Sequence, residues 1–395
     1  MDEDPHDWDI ATRLVRGGMA RSPYGETAEA MYLTQSFVYA SAEAADARFA
    51  GADPGFIYSR YGNPTVQMFE ERLALAEGAE YCRATASGMA AVYLSLMGLV
   101  KSGDHIVAGK ALFGSCAWIL KNWAPRFGVE VTLVDAPDLA AWRAAVRHNT
   151  RVMFLESPAN PLLEICDIGA ICQIARDAGA RVVVDNVFAT PIYQSPLKLG
   201  ADVVVYSATK HIDGQGRVMG GAVLGSRALL EEAYRDLIRH TGPSMSPFNA
   251  WVLLKGLETL ELRVRRQSDT AAMLADRLAA HPRVKSLRYP TRPDHPQYDI
   301  ACKQMSGGGS LIAFDLGSQE AAFKFLNGLR LLDIANNLGD AKSMATHPTT
   351  TTHRAMTEEQ RLEIGLTAGW VRVSIGLEGA QDLARDIERA LDGNT

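Results

Sequence analysis

A chain of 395 residues is long enough for two cores, and 47% hydrophobic with 22% charged residues is ordinary for a folded globular protein. Forty basic against forty-six acidic side chains leave a net charge of −6, which argues against a nucleic-acid or anionic-membrane partner, since both favour basic patches. Five cysteines (Cys82, Cys116, Cys166, Cys172, Cys302) without a Cys-x-x-Cys pair argue against a disulfide framework or a structural metal site. The acidic Met1-Asp2-Glu3-Asp4 is followed by no apolar stretch, and no apolar run approaches the ~18–20 residues that span a bilayer. A cytoplasmic protein with no membrane partner is expected.

Residues 1–60 lack sustained periodicity and are predicted to form an extended arm with short helices. Residues 61–247 alternate short apolar runs with amphipathic stretches. The runs His105–Ala108, Val129–Val134, Val152–Leu155, Val182–Asp185 and Val203–Tyr206 are short, rich in β-branched residues and bounded by Gly, Pro or charge, as strands buried on both faces are. Helical segments lie between them, at Ser115–Phe127 and at Ile168–Ala178, the latter closed by Gly179. This alternation implies an α/β fold with a mostly parallel sheet covered on both faces, and ligands in such sheets collect beyond the carboxyl ends of the strands. Residues 248–395 open on a long helical pattern, Phe248 to Ala280. A smaller domain follows, with Val284–Arg288, Gly309–Asp315, a helix near Gln319–Leu329 and Val371–Ile375.

Five segments carry chemistry. In Tyr206-Ser207-Ala208-Thr209-Lys210, a lysine ends a buried strand beside two hydroxyls that can donate to a phosphate, and its amine can form an imine once desolvated. A snorkelling lysine is the bland alternative. In Val182-Val183-Val184-Asp185, a carboxylate after three valines needs a partner, and a pyridinium nitrogen is a fitting one; a helix N-cap is the alternative. Ser87-Gly88-Met89 opens an apolar helix running from Ala90 to Val100, whose amino end can face a phosphate, or Ser87 is an ordinary cap. Tyr58 and Arg60 can clamp phosphate oxygens, or lie in a solvated loop. Arg372 in Trp370-Val371-Arg372-Val373-Ser374 can bind a substrate carboxylate, or make a surface salt bridge.

Together with Tyr61-Gly62-Asn63-Pro64-Thr65 and Glu156-Ser157-Pro158-Ala159-Asn160-Pro161, these segments resemble the Cys/Met-metabolism family of enzymes that use pyridoxal 5'-phosphate, on the type I fold. The resemblance covers nearly the whole chain. It implies a seven-stranded, mostly parallel sheet between helices and a smaller α+β C-terminal domain. Lys210 is then the Schiff-base lysine and Asp185 the partner of the ring nitrogen. Ser87, Gly88, Met89, Ser207 and Thr209 hold the phosphate. Tyr58 and Arg60 reach the phosphate of a neighbouring subunit, which implies a homotetramer of active-site-sharing dimers. Asn160 lies near the cofactor's 3'-oxygen, and Arg372 with the Ser343 backbone binds the substrate carboxylate.

Within that family, Lys210-His211-Ile212-Asp213-Gly214-Gln215-Gly216-Arg217-Val218-Met219-Gly220-Gly221 resembles the branch acting on O-succinylhomoserine, as does Gly339-Asp340-Ala341-Lys342-Ser343. The resemblance therefore implies a γ-replacement in methionine biosynthesis, from O-succinyl-L-homoserine and sulfide to L-homocysteine and succinate. Arg217 is a candidate for the succinyl tail. Many members stack a tyrosine on the cofactor ring, and here that position falls on Phe113, which cannot carry a proton. Lys210 must then move most of the protons, with Tyr58 the one phenol to consider. The alternatives are cystathionine γ-synthase, O-acetylhomoserine sulfhydrylase, and methionine or cystathionine γ-lyase. More remote is a nucleotide-binding or non-catalytic protein, but Gly214-Gln215-Gly216 leads into strand-like Val218–Leu224 instead of a helix. His347 and His353, six apart in a threonine-rich stretch, make a poor metal site.

Overall fold

The computed structural model describes residues 4–393. The reading of Met1-Asp2-Glu3 as a start without a leader lies outside them. The larger sheet holds β1 (Tyr81–Thr85), β2 (His105–Gly109), β3 (Glu130–Val134), β4 (Thr150–Glu156), β5 (Arg181–Asp185), β6 (Val203–Ser207) and β7 (Gly221–Gly225). Their order is β1-β7-β6-β5-β4-β2-β3, with β7 antiparallel to both neighbours and every other pairing parallel. The valine-rich strands alternate between two cores. Val204, Tyr206, Ala222 and Leu224 face a cluster shared with the helices Pro64–Glu77 and Pro247–Leu257, while Val203, Val205 and Val223 face one beneath Gly88–Met97 and Arg227–Thr241. Burying each such side chain contributes about 1.5–3 kcal/mol, which favours β-branched residues on both faces.

A second sheet holds β8 (Ser286–Arg288), β9 (Leu311–Asp315), β10 (Asp333–Ile334), β11 (Met344–Thr346) and β12 (Trp370–Ser374), in the order β10-β11-β12-β9-β8. Ile312, Phe314, Val371 and Val373 pack one face of it against the helices Gln319–Gly328 and Ala380–Asp392. Trp370, Arg372 and Ser374 therefore point to the other face. The fold is α/β, a mostly parallel seven-stranded sheet with a smaller α+β C-terminal unit.

Two expected elements differ. Ser115–Phe127 is not one helix: an α turn at Gly114–Trp118 passes into a π turn at Ile119–Trp123 and a 3-10 turn at Ala124–Phe127, where Pro125 lacks the N–H an α-helix needs. The long helix Phe248–Ala280 is two, Pro247–Leu257 and Leu260–Ala279. At the end of the first, Gly256 lies so close to the Lys210 turn that a Cβ there would sit 2.3 Å from the Ile212 carbonyl oxygen. The core also changes hands late: Leu253, Leu257, Leu260 and Val264 belong to the larger unit, and Ala271, Leu274, Ala275 and Leu278 to the smaller.

The arm carries the short helices Ile10–Arg16 and Ala42–Phe49. It is fastened where buried Arg72 meets Glu29 and donates to the Gly17 carbonyl at 2.8 Å. Tyr24, Leu33, Val38 and Phe49 of the arm are exposed. Among the described residues no helix is long and apolar enough to cross a membrane.

Candidate active site

β4 and β5 are parallel neighbours in register, so Glu156 and Asp185 stand side by side at their carboxyl ends. Both are buried and line a cavity of about 390 Å³. Glu156 accepts two backbone N–H groups, from Asn160 at Oε1 and from Phe113 at Oε2, each at 2.8 Å. Asp185 Oδ1 accepts from Val187 N at 3.1 Å, a local turn that opens no helix, so it is not the helix cap the sequence allowed. Burial raises the pKa of both carboxyls, and the charge of Asp185 raises Glu156 further.

Lys210 enters from the turn after β6. Its Nζ donates to Asn337 Oδ1 at 2.5 Å. Burial, and then the charge of Arg372, pull its pKa down to about 8. Arg372 comes from β12 and is only 2% exposed, which excludes the surface salt bridge. Nη1 donates to Asn160 Oδ1 at 2.8 Å, and Nη2 to the carbonyls of Asn336 and Asn337 at 2.9 and 3.2 Å. Among the described residues it makes no ion pair, and its buried Nε has no partner. Burial lowers its pKa to about 10, opposed by Glu156. A guanidinium held by neutral groups, with its Nε–H and one N–H of Nη1 to spare, is ready for an incoming carboxylate.

Opposite lies the start of the helix Gly88–Met97. Ser87 Oγ accepts from Ala90 N at 3.2 Å, so Ser87 is the ordinary cap and also lines the cavity with Gly88 and Met89. A Cβ on Gly88 would lie 2.5 Å from that of Ser207, so only glycine allows the helix end this close to β6. Thr209 lines the cavity, but its hydroxyl is engaged with Gly220, donating to the carbonyl at 3.2 Å and accepting the N–H at 3.1 Å. Ser207 is thus the better placed hydroxyl donor. Phe113 and Asn160 complete the predicted wall.

Four predicted residues stand elsewhere. Tyr58 and Arg60 do not line this cavity; the Arg60 guanidinium lies over the rings of Tyr58 and Tyr61, at 5.4 and 4.9 Å from their centroids. Ser343 does not line it either, because Glu378 accepts from its N–H at 2.7 Å and its hydroxyl at 2.8 Å. Arg217, the candidate for the succinyl tail, is bound to Asp213 at 3.0 Å and is also outside. Conversely, Glu156, Asn336 and Asn337 take part without having been singled out. The signal for Glu156 was a carboxylate closing an apolar strand, as at Asp185; no local pattern marks the two asparagines.

The family model described as Cys/Met metabolism PLP-dependent enzyme matches residues 11–392. The chain is 55% identical to an O-succinylhomoserine sulfhydrylase of Mycobacterium tuberculosis over 96% of this chain and 95% of that one. It is 46% identical to one of Pseudomonas aeruginosa over 99% and 97%. An L-methionine gamma-lyase of Porphyromonas gingivalis is 42% identical over 97% of each chain. Among solved structures, metB from Corynebacterium glutamicum superposes with a TM-score of 0.94 at 35% identity, each chain fully covered. A putative O-acetylhomoserine (thiol)-lyase from Campylobacter jejuni, bearing a pyridoxyl-lysine monophosphate, gives 0.93 at 31% identity over 98% of this chain and 100% of that one. The cofactor is pyridoxal 5'-phosphate, and the cavity suits it: an amine of lowered pKa, a buried carboxylate for a ring nitrogen, and a glycine-tight helix end beside a hydroxyl for a phosphate.

Proposed function

The chain belongs to the Cys/Met metabolism PLP-dependent enzyme family, and from that premise we propose that it replaces the γ-substituent of O-succinyl-L-homoserine with sulfide, releasing L-homocysteine and succinate. One observation carries the reading: an amine, two carboxylates and a guanidinium converge on one cavity without forming an ion pair. The choice of substrate rests on the two sulfhydrylase relatives, more similar to this chain than the γ-lyase is.

Pyridoxal phosphate, when bound, supplies an aldehyde that captures amines and a cationic ring that draws electrons from the substrate's α-carbon. The protein does the rest. Asp185 would face the ring nitrogen and keep it protonated. Ser87, Gly88, Met89 and Ser207 would hold the phosphate, with Thr209 as support, and Phe113 would wall the ring. Arg372 Nε would take the substrate's α-carboxylate, its guanidinium aimed by Asn160 and the carbonyls of Asn336 and Asn337. Lys210 would anchor the cofactor and, once displaced, act as general base. With a pKa near 8 its amine has a working neutral fraction at neutral pH. Its neutral amine would take the α-proton, give it up again to the bound cofactor–substrate system, and only then be free to take one from the β-carbon, while the γ-carbon–oxygen bond breaks and its electrons leave with succinate. Hydrosulfide then forms the γ-carbon–sulfur bond, and Lys210 returns the protons.

We further propose that Tyr58 and Arg60 complete the phosphate site of a neighbouring subunit in a homotetramer, and that the enzyme works in the cytoplasm. The exposed apolar side chains of the arm support the first. The decisive assay offers O-succinylhomoserine or O-acetylhomoserine, with sulfide, with cysteine or with neither. Homocysteine from the succinyl ester and sulfide, faster than any other product, is expected. Cystathionine or 2-oxobutyrate as the main product overturns the proposal.

A further inference from the structure

The amine of Lys210 has one hydrogen bond, to Asn337 Oδ1 at 2.5 Å. A lysine ammonium only donates, so the amide must turn its oxygen to it. The backbone carrying Asn337 is pinned from two sides. Arg372 holds the carbonyls of Asn336 and Asn337, and Gly339, at φ 72°, donates to Ser374 Oγ at 2.9 Å. Gly339 also presses on the Lys210 turn, where a Cβ would lie 2.7 Å from His211 N. The loop is therefore fixed relative to both Lys210 and Arg372.

We propose that Asn337 is a positioning residue that holds the released amine of Lys210 through its side-chain oxygen, aimed at the carbons between which protons move. The proposal rests on the γ-replacement reading and deepens it. Two features make an amide apt. It accepts from the ammonium without adding a negative charge, so the amine stays easy to deprotonate. Its contact is also separable, because Arg372 touches only backbone oxygens of this loop. The charged groups sharing the cavity with Lys210 are Arg372 from β12, Glu156 from β4 and Asp185 from β5; His211, on its own turn, is directed to Ser310 Oγ at 2.8 Å.

Two readouts test this. In the holoenzyme, Asn337→Ala is expected to lower kcat roughly ten- to hundredfold, the size of a lost hydrogen bond to a charged group, and to leave KM within about twofold. In the apoprotein, the rate of pyridoxal phosphate capture against pH reports the amine directly, since only the neutral form attacks. Its midpoint should move down in Asn337→Ala, which removes an acceptor from the ammonium. It should move up in Asn337→Asp by about one unit or more, as a carboxylate favours the charged form. A role confined to folding produces no such opposed shifts. Midpoints equal to wild type in both variants, or a rise in KM at unchanged kcat, overturn the proposal. If the alanine variant does not fold, Asn337→Ser keeps a shorter oxygen, and its midpoint should lie below wild type; equality with wild type is again a negative result. Opposed shifts in a wild-type background that makes no homocysteine would instead reject the γ-replacement reading while leaving Asn337 as the holder of Lys210.

Discussion

Glu29, Arg72, Lys255 and Glu258 bring two carboxylates and two cations together beneath the arm; Glu156, Asp185, Lys210 and Arg372 bring the same set to the cavity. Beneath the arm each acid meets each base. Arg72 and Lys255 both grip Glu29, Lys255 also grips Glu258, and Arg72 stands 3.6 Å from Glu258. Burial alone would raise the Glu29 pKa, but hydrogen bonds from Lys255 and Arg72 outweigh it and hold the carboxyl below its ordinary range. At the cavity no such pair forms, and every shift has the opposite sense: the carboxyls rise and the amine and guanidinium fall. Charges that neutralise one another fasten a structure. Charges kept apart and desolvated are poised to meet a ligand.

The sharpest way to break this contrast is Lys210→Ala. Turnover should fall by roughly 10⁴-fold or more, since anchor and base go together, and the visible absorption of the lysine-bound cofactor should vanish. The melting temperature of the apoprotein should not fall, because an amine held against its preferred charged state is removed. A large drop in melting temperature would place Lys210 with the structural charges. The smaller effect is expected at the other cluster. Arg72→Met leaves the buried Glu29 carboxylate with Lys255 as its remaining cation and should lower the unfolding free energy by about 1.5–3 kcal/mol, read from urea denaturation, with KM unaltered. A changed KM at unaltered stability would dissolve the distinction.

Much of the site was legible because two charged residues, Asp185 and Lys210, end valine-rich strands, where an ionisable group is costly without a purpose. Strand periodicity placed five strands of the large sheet. β1 escaped it, since Arg83 interrupts an otherwise half-buried run. Asn337 could not be read in advance: it meets Lys210 across 127 residues through the packing of one unit on the other. Ser343 failed for a related reason, as Glu378 lies 35 residues further on and only the fold shows that it claims both donors. Tyr58 and Arg60 mark the limit of a single chain, being placed on the arm and away from the cavity.

The helix Leu260–Ala279 gives its first turns to one core and its last to the other. Such a shared beam ties the fates of the two units. Melting the smaller core strips Leu274 and Leu278 of their packing and frays the same helix whose start buries Leu260 and Val264 in the larger one. The protein is therefore expected to lose both units in one cooperative calorimetric peak, and two resolved peaks would show that the beam snaps between Val264 and Ala271.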